Sequence, residues 1–168
     1  MMTRTVRSKI FGEGAVRTSS YLNRNSLDCG WYSGGVMGYH FEYDPVNKIL
    51  LGTFEGELTD ESAAEFYEAV RRYAHATNPN AGIWDLSFAT ANAVSSDFVR
   101  NLARREPAMP DADKRPRFLV APATAAYGLL RMFELSGGSR RPMLRVVHTV
   151  SEALSALGVA SPQFERLT

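Results

Sequence analysis

Ile83-Trp-Asp-Leu-Ser-Phe-Ala-Thr-Ala-Asn-Ala-Val-Ser-Ser-Asp-Phe-Val-Arg-Asn-Leu-Ala103 is the stretch on which the fold turns. Its first part belongs to a short apolar run, Ala81 to Leu86, which reads as a central strand that ends near Asp85. A short loop follows. A helix then runs from about Ser96 to Arg105, with Phe98, Val99 and Leu102 facing inward. A strand that hands paired hydroxyls, Ser95 and Ser96, to a helix N-terminus makes a small polar site. Backbone N–H groups point outward there. Three readings fit it: a phosphate site, a phosphorylation site, or an ordinary helix cap.

Upstream, Tyr39 to Tyr43 alternates and reads as a strand. Asp44-Pro45-Val46-Asn47 supplies turn chemistry, and Ile49 to Glu55 returns as the second strand of a hairpin. Thr59 caps the next helix, with Asp60 and Glu61 in the first turn where the dipole favours negative charge. Ala63, Phe66, Tyr67 and Val70 make one apolar stripe. The helix fades near His75, before Asn78-Pro79-Asn80.

Downstream, Pro107 and Pro110 bound a polar loop, and Arg117 to Ala121 is a third apolar strand. Pro122 opens the next helix, whose stripe is Ala126, Leu129, Leu130 and Phe133. Gly137-Gly138 stop it. Leu144 to His148 is the last strand. Thr149-Val-Ser-Glu152 forms a capping box for a final helix that packs Val150, Ala153, Leu154 and Leu157 and ends at Gly158. The order β-β-α-β-α-β-α-β-α predicts an α/β domain with a mostly parallel sheet and helices packed on it.

The bulk properties agree. The 168 residues fit one domain, and 45% hydrophobic with 22% charged content is that of a globular protein with one core. A net charge of +1 argues against a dedicated nucleic-acid binder. Cys29 is the single cysteine, which points to a reducing, cytoplasmic setting. No run has the length of a membrane span, and no secretory signal pattern opens the chain. Residues 1–36 hold Arg4, Arg7, Lys9, Arg17 and Arg24 against Glu13 and Asp28, a net of +3, so the remainder carries −2. That segment has no hydrophobic period and reads as a mobile basic tail. Met37 is an alternative start, since ordered patterning begins directly after it. The domain is expected over 37–161, with a tail over 162–168.

Four segments, taken in order, resemble the STAS domain, the fold of bacterial anti-sigma factor antagonists and of sulfate-transporter tails. Gly56-Glu57-Leu58-Thr59 is similar to the Gly-Glu-Leu-Asp motif before the family's first helix. Asp85-Leu86-Ser87 is similar to its Asp-Leu-Ser strand end. Arg131-Met-Phe-Glu-Leu-Ser-Gly137 is similar to its Arg-Leu-Phe-Asp-Met-Ser-Gly helix end, and Ala153-Leu-Ser-Ala-Leu-Gly-Val159 to its closing helix. The resemblance spans about residues 39–161. It implies a STAS-like single domain and a non-enzymatic protein-interaction module that needs no cofactor. Its partner would be a protein of the anti-sigma factor or kinase type.

In the antagonists the second helix begins at Asp-Ser-Ser-Gly, and the first serine is phosphorylated by a partner kinase. The matching place here is Val94-Ser95-Ser96-Asp97. Ser95 takes the phosphoacceptor position, Val94 replaces the acid and Asp97 replaces the glycine. Asp97 would repel an added phosphate. The family also holds a lipid-binding-type branch without the phosphoserine switch.

The candidate interaction or ligand face is therefore Asp85, Asn92, Val94, Asp97, Phe98, Val99 and Arg100, with Ser95 and Ser96 as candidate phosphoacceptors. Asp85 stands at the C-terminal end of a parallel strand, where open α/β folds build sites, or it caps the loop that follows. Trp84 is core, or it lines a pocket. Arg100, Arg104, Arg105, Lys114, Arg115, Arg117, Arg140 and Arg141 form either a basic rim for anions or a solvated face. A small-molecule or lipid pocket would be lined by Phe98, Leu102, Tyr127, Leu129 and Met132. His40, His75 and His148 lack ligand spacing, so no metal site is expected. Nothing in the spacing supports a Ser95, His148 and Asp85 triad. Tyr39 to Tyr43, if an edge strand, offers a route to a homodimer.

Overall fold

Asp44 and the Thr59–Ser62 pair fix the two ends of the second strand and with them the start of the fold. The computed structural model describes Gly38–Thr168 apart from Ala123. The expectations for residues 1–36 and Met37 lie outside the described residues. Strand β1 (Gly38–Asp44) pairs antiparallel with β2 (Ile49–Thr59). The Asp44 carboxylate closes their turn by accepting from the Val46 and Asn47 N–H groups, both at 2.9 Å, and from Asn47 Nδ2 at 2.7 Å. Helix α1 (Asp60–Thr77) opens on a reciprocal capping box. The Ser62 N–H donates to Thr59 Oγ1 at 3.2 Å, and the Thr59 N–H donates to Ser62 Oγ at 2.9 Å.

The chain continues through β3 (Ala81–Ala93), α2 (Ser96–Arg104), β4 (Arg117–Val120) and α3 (Thr124–Gly137). A short 3-10 turn (Gly138–Arg140), β5 (Leu144–Val147), α4 (Val150–Ala156) and β6 (Glu165–Arg166) complete it. The sheet order is β5-β4-β3-β2-β1-β6. Strands β2 to β5 run parallel, and β1 and β6 add an antiparallel edge. The expected α/β class and mostly parallel sheet are thus present.

Alternation along the strands separates two cores. Phe41, Leu50, Phe54, Trp84, Leu119 and Val146 face α1, α2 and α3. Ile49, Leu51, Ile83, Phe118, Val120 and Val147 face α4 and the segment ending at Phe164. Phe66 of α1 stacks on Phe41 at 5.7 Å and meets Phe54 edge-on at 5.6 Å. That close approach needs Gly52 between them, because a Cβ there would lie 2.7 Å from Phe41 Cε1.

Three sequence expectations are corrected. The strand expected to end near Asp85 runs on to Ala93, and its partner runs to Thr59 rather than Glu55. Residues 88–93 pair with Glu55 to Thr59 beyond the reach of β4, which covers only Gly82 to Asp85. Two register shifts bend this two-stranded extension, and Gly56 between them has φ +98, a left-handed value natural to glycine. Alanines carry the inward positions of the extension, so low strand propensity hid it from a pattern reading. Secondly, Tyr39 to Tyr43 is a sheet edge only in its first part, because β6 covers Glu42 and Tyr43. The residues expected as a tail contribute β6, which pairs Glu42 with Arg166 and Tyr43 with Glu165. The Asp44 carboxylate anchors this return by accepting from the Gln163 N–H at 2.9 Å. Thirdly, α3 starts at Thr124 rather than at Pro122. The final capping box is half formed: Thr149 Oγ1 accepts from the Glu152 N–H at 3.0 Å, while the Glu152 carboxylate takes the His148 N–H.

Candidate functional site

Because β2 and β3 are parallel neighbours and end at the paired residues Thr59 and Ala93, the helices that follow them start side by side. The first residue of α1, Asp60, therefore meets the N-cap of α2. The Asp60 carboxylate accepts twice from Ser95: the Ser95 N–H reaches Oδ1 and the Ser95 hydroxyl reaches Oδ2, each at 2.8 Å. Ser95 Oγ in turn accepts from the Phe98 N–H at 3.1 Å. Ser95 is thus a helix cap whose hydroxyl is also a donor to a carboxylate. Pattern reading gave Asp60 only a role toward its own helix dipole. The signal that would have found it is topological: parallel adjacent strands place successive helix starts together.

The other predicted site residues divide. Ser96, Asp97 and Arg100 are exposed on the α2 start. Asp97 pairs with Arg100 at 3.0 Å, within the helix. Val94 and Phe98 are half-buried and pack on the core. Asn92 falls near the end of β3. Asp85 and Val99 are not on this face. Val99 is buried in the core. Asp85 is buried within the sheet, where its Oδ1 accepts from the Ser87 N–H at 2.9 Å across the first register shift. That hydrogen bond is the contact expected of the loop-capping reading. Phe88, missed by the pattern reading, projects from the β3 extension and is 64% exposed.

The expected basic rim is dispersed. Arg100 is spent on Asp97, Arg140 reaches the Arg104 carbonyl, and Arg115 holds Asp111, Asn78 and the Pro79 carbonyl. Arg117 and Arg141 are not on the surface at all, being 2% and 4% exposed. Arg141 sits under the C-terminus of α2, where its guanidinium donates to the carbonyls of Leu102, Ala103 and Arg105 and to Tyr67 Oη. Those free carbonyls are the negative end of the helix dipole, so its charge is matched there. It also lies over the Phe133 ring at 4.7 Å.

A cavity of about 110 Å³ lies between the sheet and helices α1, α2 and α3. Phe98, Leu102 and Leu129 line it as expected, whereas Tyr127 and Met132 do not. Tyr127 instead stacks on His148 at 4.5 Å. Trp84 is core and lines this cavity as well. Ser95, Asp85 and His148 thus each have separate partners. Among the described residues, no group of three His, Cys, Asp or Glu is placed to hold a metal ion, and no helix is long and apolar enough to cross a membrane.

No protein-family model matches the sequence, and neither does any curated protein. Solved structures do. An anti-sigma factor antagonist from Mycobacterium paratuberculosis matches with a TM-score of 0.52 at 19% identity, over 73% of this chain and 95% of that one. The anti-sigma factor antagonist SpoIIAA in its unphosphorylated form matches with a TM-score of 0.47 at 13% identity, over 74% of this chain and 100% of that one. At such identities the likeness speaks for the fold alone. The mycobacterial match, with the strand order and helix placement described above, shows that the chain has a STAS-like fold.

Proposed function

We propose that this chain is a non-enzymatic regulatory module of the anti-sigma factor antagonist type, which docks a protein partner through Asn92 to Phe98, without the buried Val99, and is switched by phosphorylation at Ser95 or Ser96. The observation that carries the reading is the exposed α2 start with its Ser95 hydroxyl shared between the Asp60 carboxylate and the helix cap. A phosphoryl group on Ser95 replaces the proton that Asp60 now accepts. It sets a dianion against that carboxylate and near Asp97, so the link between the α1 and α2 starts breaks. On Ser96, an exposed residue, the same group adds charge to the docking face without breaking the link. Both outcomes change what a partner meets, and both fit a charge-operated switch. Phe88 supplies an exposed apolar contact on the adjoining strand extension.

Two measurements test this. Intact-mass and peptide mapping of protein from its own cells is expected to find phosphate at Ser95 or Ser96; unmodified serines under every growth condition overturn the switch. A photo-crosslinking residue in place of Asp97 is expected to capture one discrete protein. The capture should disappear when Ser95→Asp and Ser96→Asp are added, with the fold intact. Unchanged capture overturns the docking face.

A second reading, a small-ligand or lipid carrier on the same fold, is supported by the apolar cavity under α1, α2 and α3.

A further inference from the structure

Arg117 opens β4 and lies beneath the same cavity. It is 2% exposed, and among the described residues its Nε–H has no hydrogen-bond partner. Its Nη2 donates to the Ala112 carbonyl at 2.6 Å. Among the described residues no carboxylate forms an ion pair with Arg117 or with Arg141. Burial, and then the neighbouring Arg141 charge, push the Arg117 guanidinium down to about 10, with Tyr67 and Asp113 offsetting only part of this. Arg141 has the α2 carbonyls to balance it, whereas Arg117 has one carbonyl and an orphaned donor. A buried cation left in that condition is costly unless an anion comes to it.

The cavity wall supplies the rest of the recognition. Besides Arg117, Arg141 and Tyr67, its lining is apolar. It runs along the sheet face from the start of β4 to Ala89 and Ala91 on the β3 extension and to Val94 and Phe98 of α2. The space these residues enclose, about 110 Å³, has room for a short hydrocarbon chain and not for a large lipid.

We propose that this cavity binds a short apolar monocarboxylate, with the carboxylate on the Arg117 guanidinium and the hydrocarbon chain against the apolar wall. The inference rests on the carrier reading, and it adds the charge and the end-to-end direction of the ligand. The carboxylate accepts the orphaned Nε–H and is the missing counter-ion. A charge-assisted bond of this kind in a buried site is worth about tenfold to a hundredfold in affinity.

The test is calorimetric titration of the full chain with octanoate, 1-octanol and inorganic phosphate. Octanoate is expected to bind at least about tenfold more tightly than 1-octanol, and phosphate alone, lacking a chain, not to bind. Arg117→Met is expected to bring octanoate down to the level of 1-octanol. In the proton–nitrogen spectrum of the unaltered protein, the Arg117 Nε–H resonance should move with octanoate and stay in place with 1-octanol, a readout that does not depend on the variant folding. Equal binding of octanoate and 1-octanol overturns the carboxylate assignment and leaves the carrier reading standing. Binding of neither up to the solubility limit overturns both. Binding of phosphate alone, with no gain from the chain, replaces the proposed ligand with a simple anion.

Discussion

Asp44 and Arg117 are both buried charges at the end of the sheet where the parallel strands begin, and the fold treats them in opposite ways. Four donors surround the Asp44 carboxylate: two from its own turn backbone, one from the Asn47 side chain and one from Gln163. Burial pushes its carboxyl up, but these hydrogen bonds outweigh that and hold it below the ordinary aspartate value of 3.8. Among the described residues Arg117 has one carbonyl partner and an unpaired Nε–H. The first charge organises the chain, tying the β1–β2 turn to the returning C-terminal segment. The second is left incomplete beside a cavity. A fully satisfied buried charge marks a structural joint, and an unsatisfied one marks a place for something else.

Removing each charge is the sharpest way to break this comparison. Asp44→Ala orphans three backbone donors at once, and we expect it to cost about 3 kcal/mol or more, read as a lowered urea midpoint. The sign of the pH effect follows from the lowered carboxyl. Its stabilisation is present above the ordinary value of 3.8 and is lost as the pH falls through the lower folded value. Acid unfolding should therefore separate the unaltered protein from Asp44→Ala near neutral pH and bring the two together at low pH. Arg117→Met should do the reverse of Asp44→Ala at neutral pH: stability unchanged or raised by about 1–4 kcal/mol, because an apolar isostere removes an unmatched charge. A loss as large as that of Asp44→Ala would end the distinction between the two sites.

The same logic applies, with smaller effects, to the link between the helix starts. Ser95→Ala removes a cap and a carboxylate partner and should cost about 1 kcal/mol. A double-mutant cycle with Asp60→Asn should show coupling of about 0.5–1.5 kcal/mol. Additive effects would mean that Ser95 acts only as a cap. Phe88→Ser, on an exposed strand position, should leave stability within about 0.5 kcal/mol, so that any loss of crosslinking belongs to docking.

Much of this molecule was legible in its sequence because local rules act over a few residues. The Thr59 cap, the stripe from Ala63 to Val70, the Asp44 turn and the short apolar runs at Ile83 and Phe118 each declare themselves by spacing. Together with the resemblance of four short segments they were enough for a parallel α/β domain of STAS-like order. Ser95 at the start of α2 was legible in the same way, as a favoured N-cap residue after a strand.

Only the tertiary structure decided the remainder, because those features arise between residues far apart in the chain. The β3 extension is held by its ladder to β2 rather than by strand-forming side chains, so alanines and a threonine concealed it. The β6 edge depends on Asp44 reaching a backbone donor 119 residues away. Asp60 meets Ser95 across 35 positions, since parallel neighbouring strands end together. Arg117 and Arg141 read as two more members of a surface rim. Burial is a property of what packs around a side chain, and only the assembled helices α1, α2 and α3 turn these two arginines from solvated charges into the floor of a cavity.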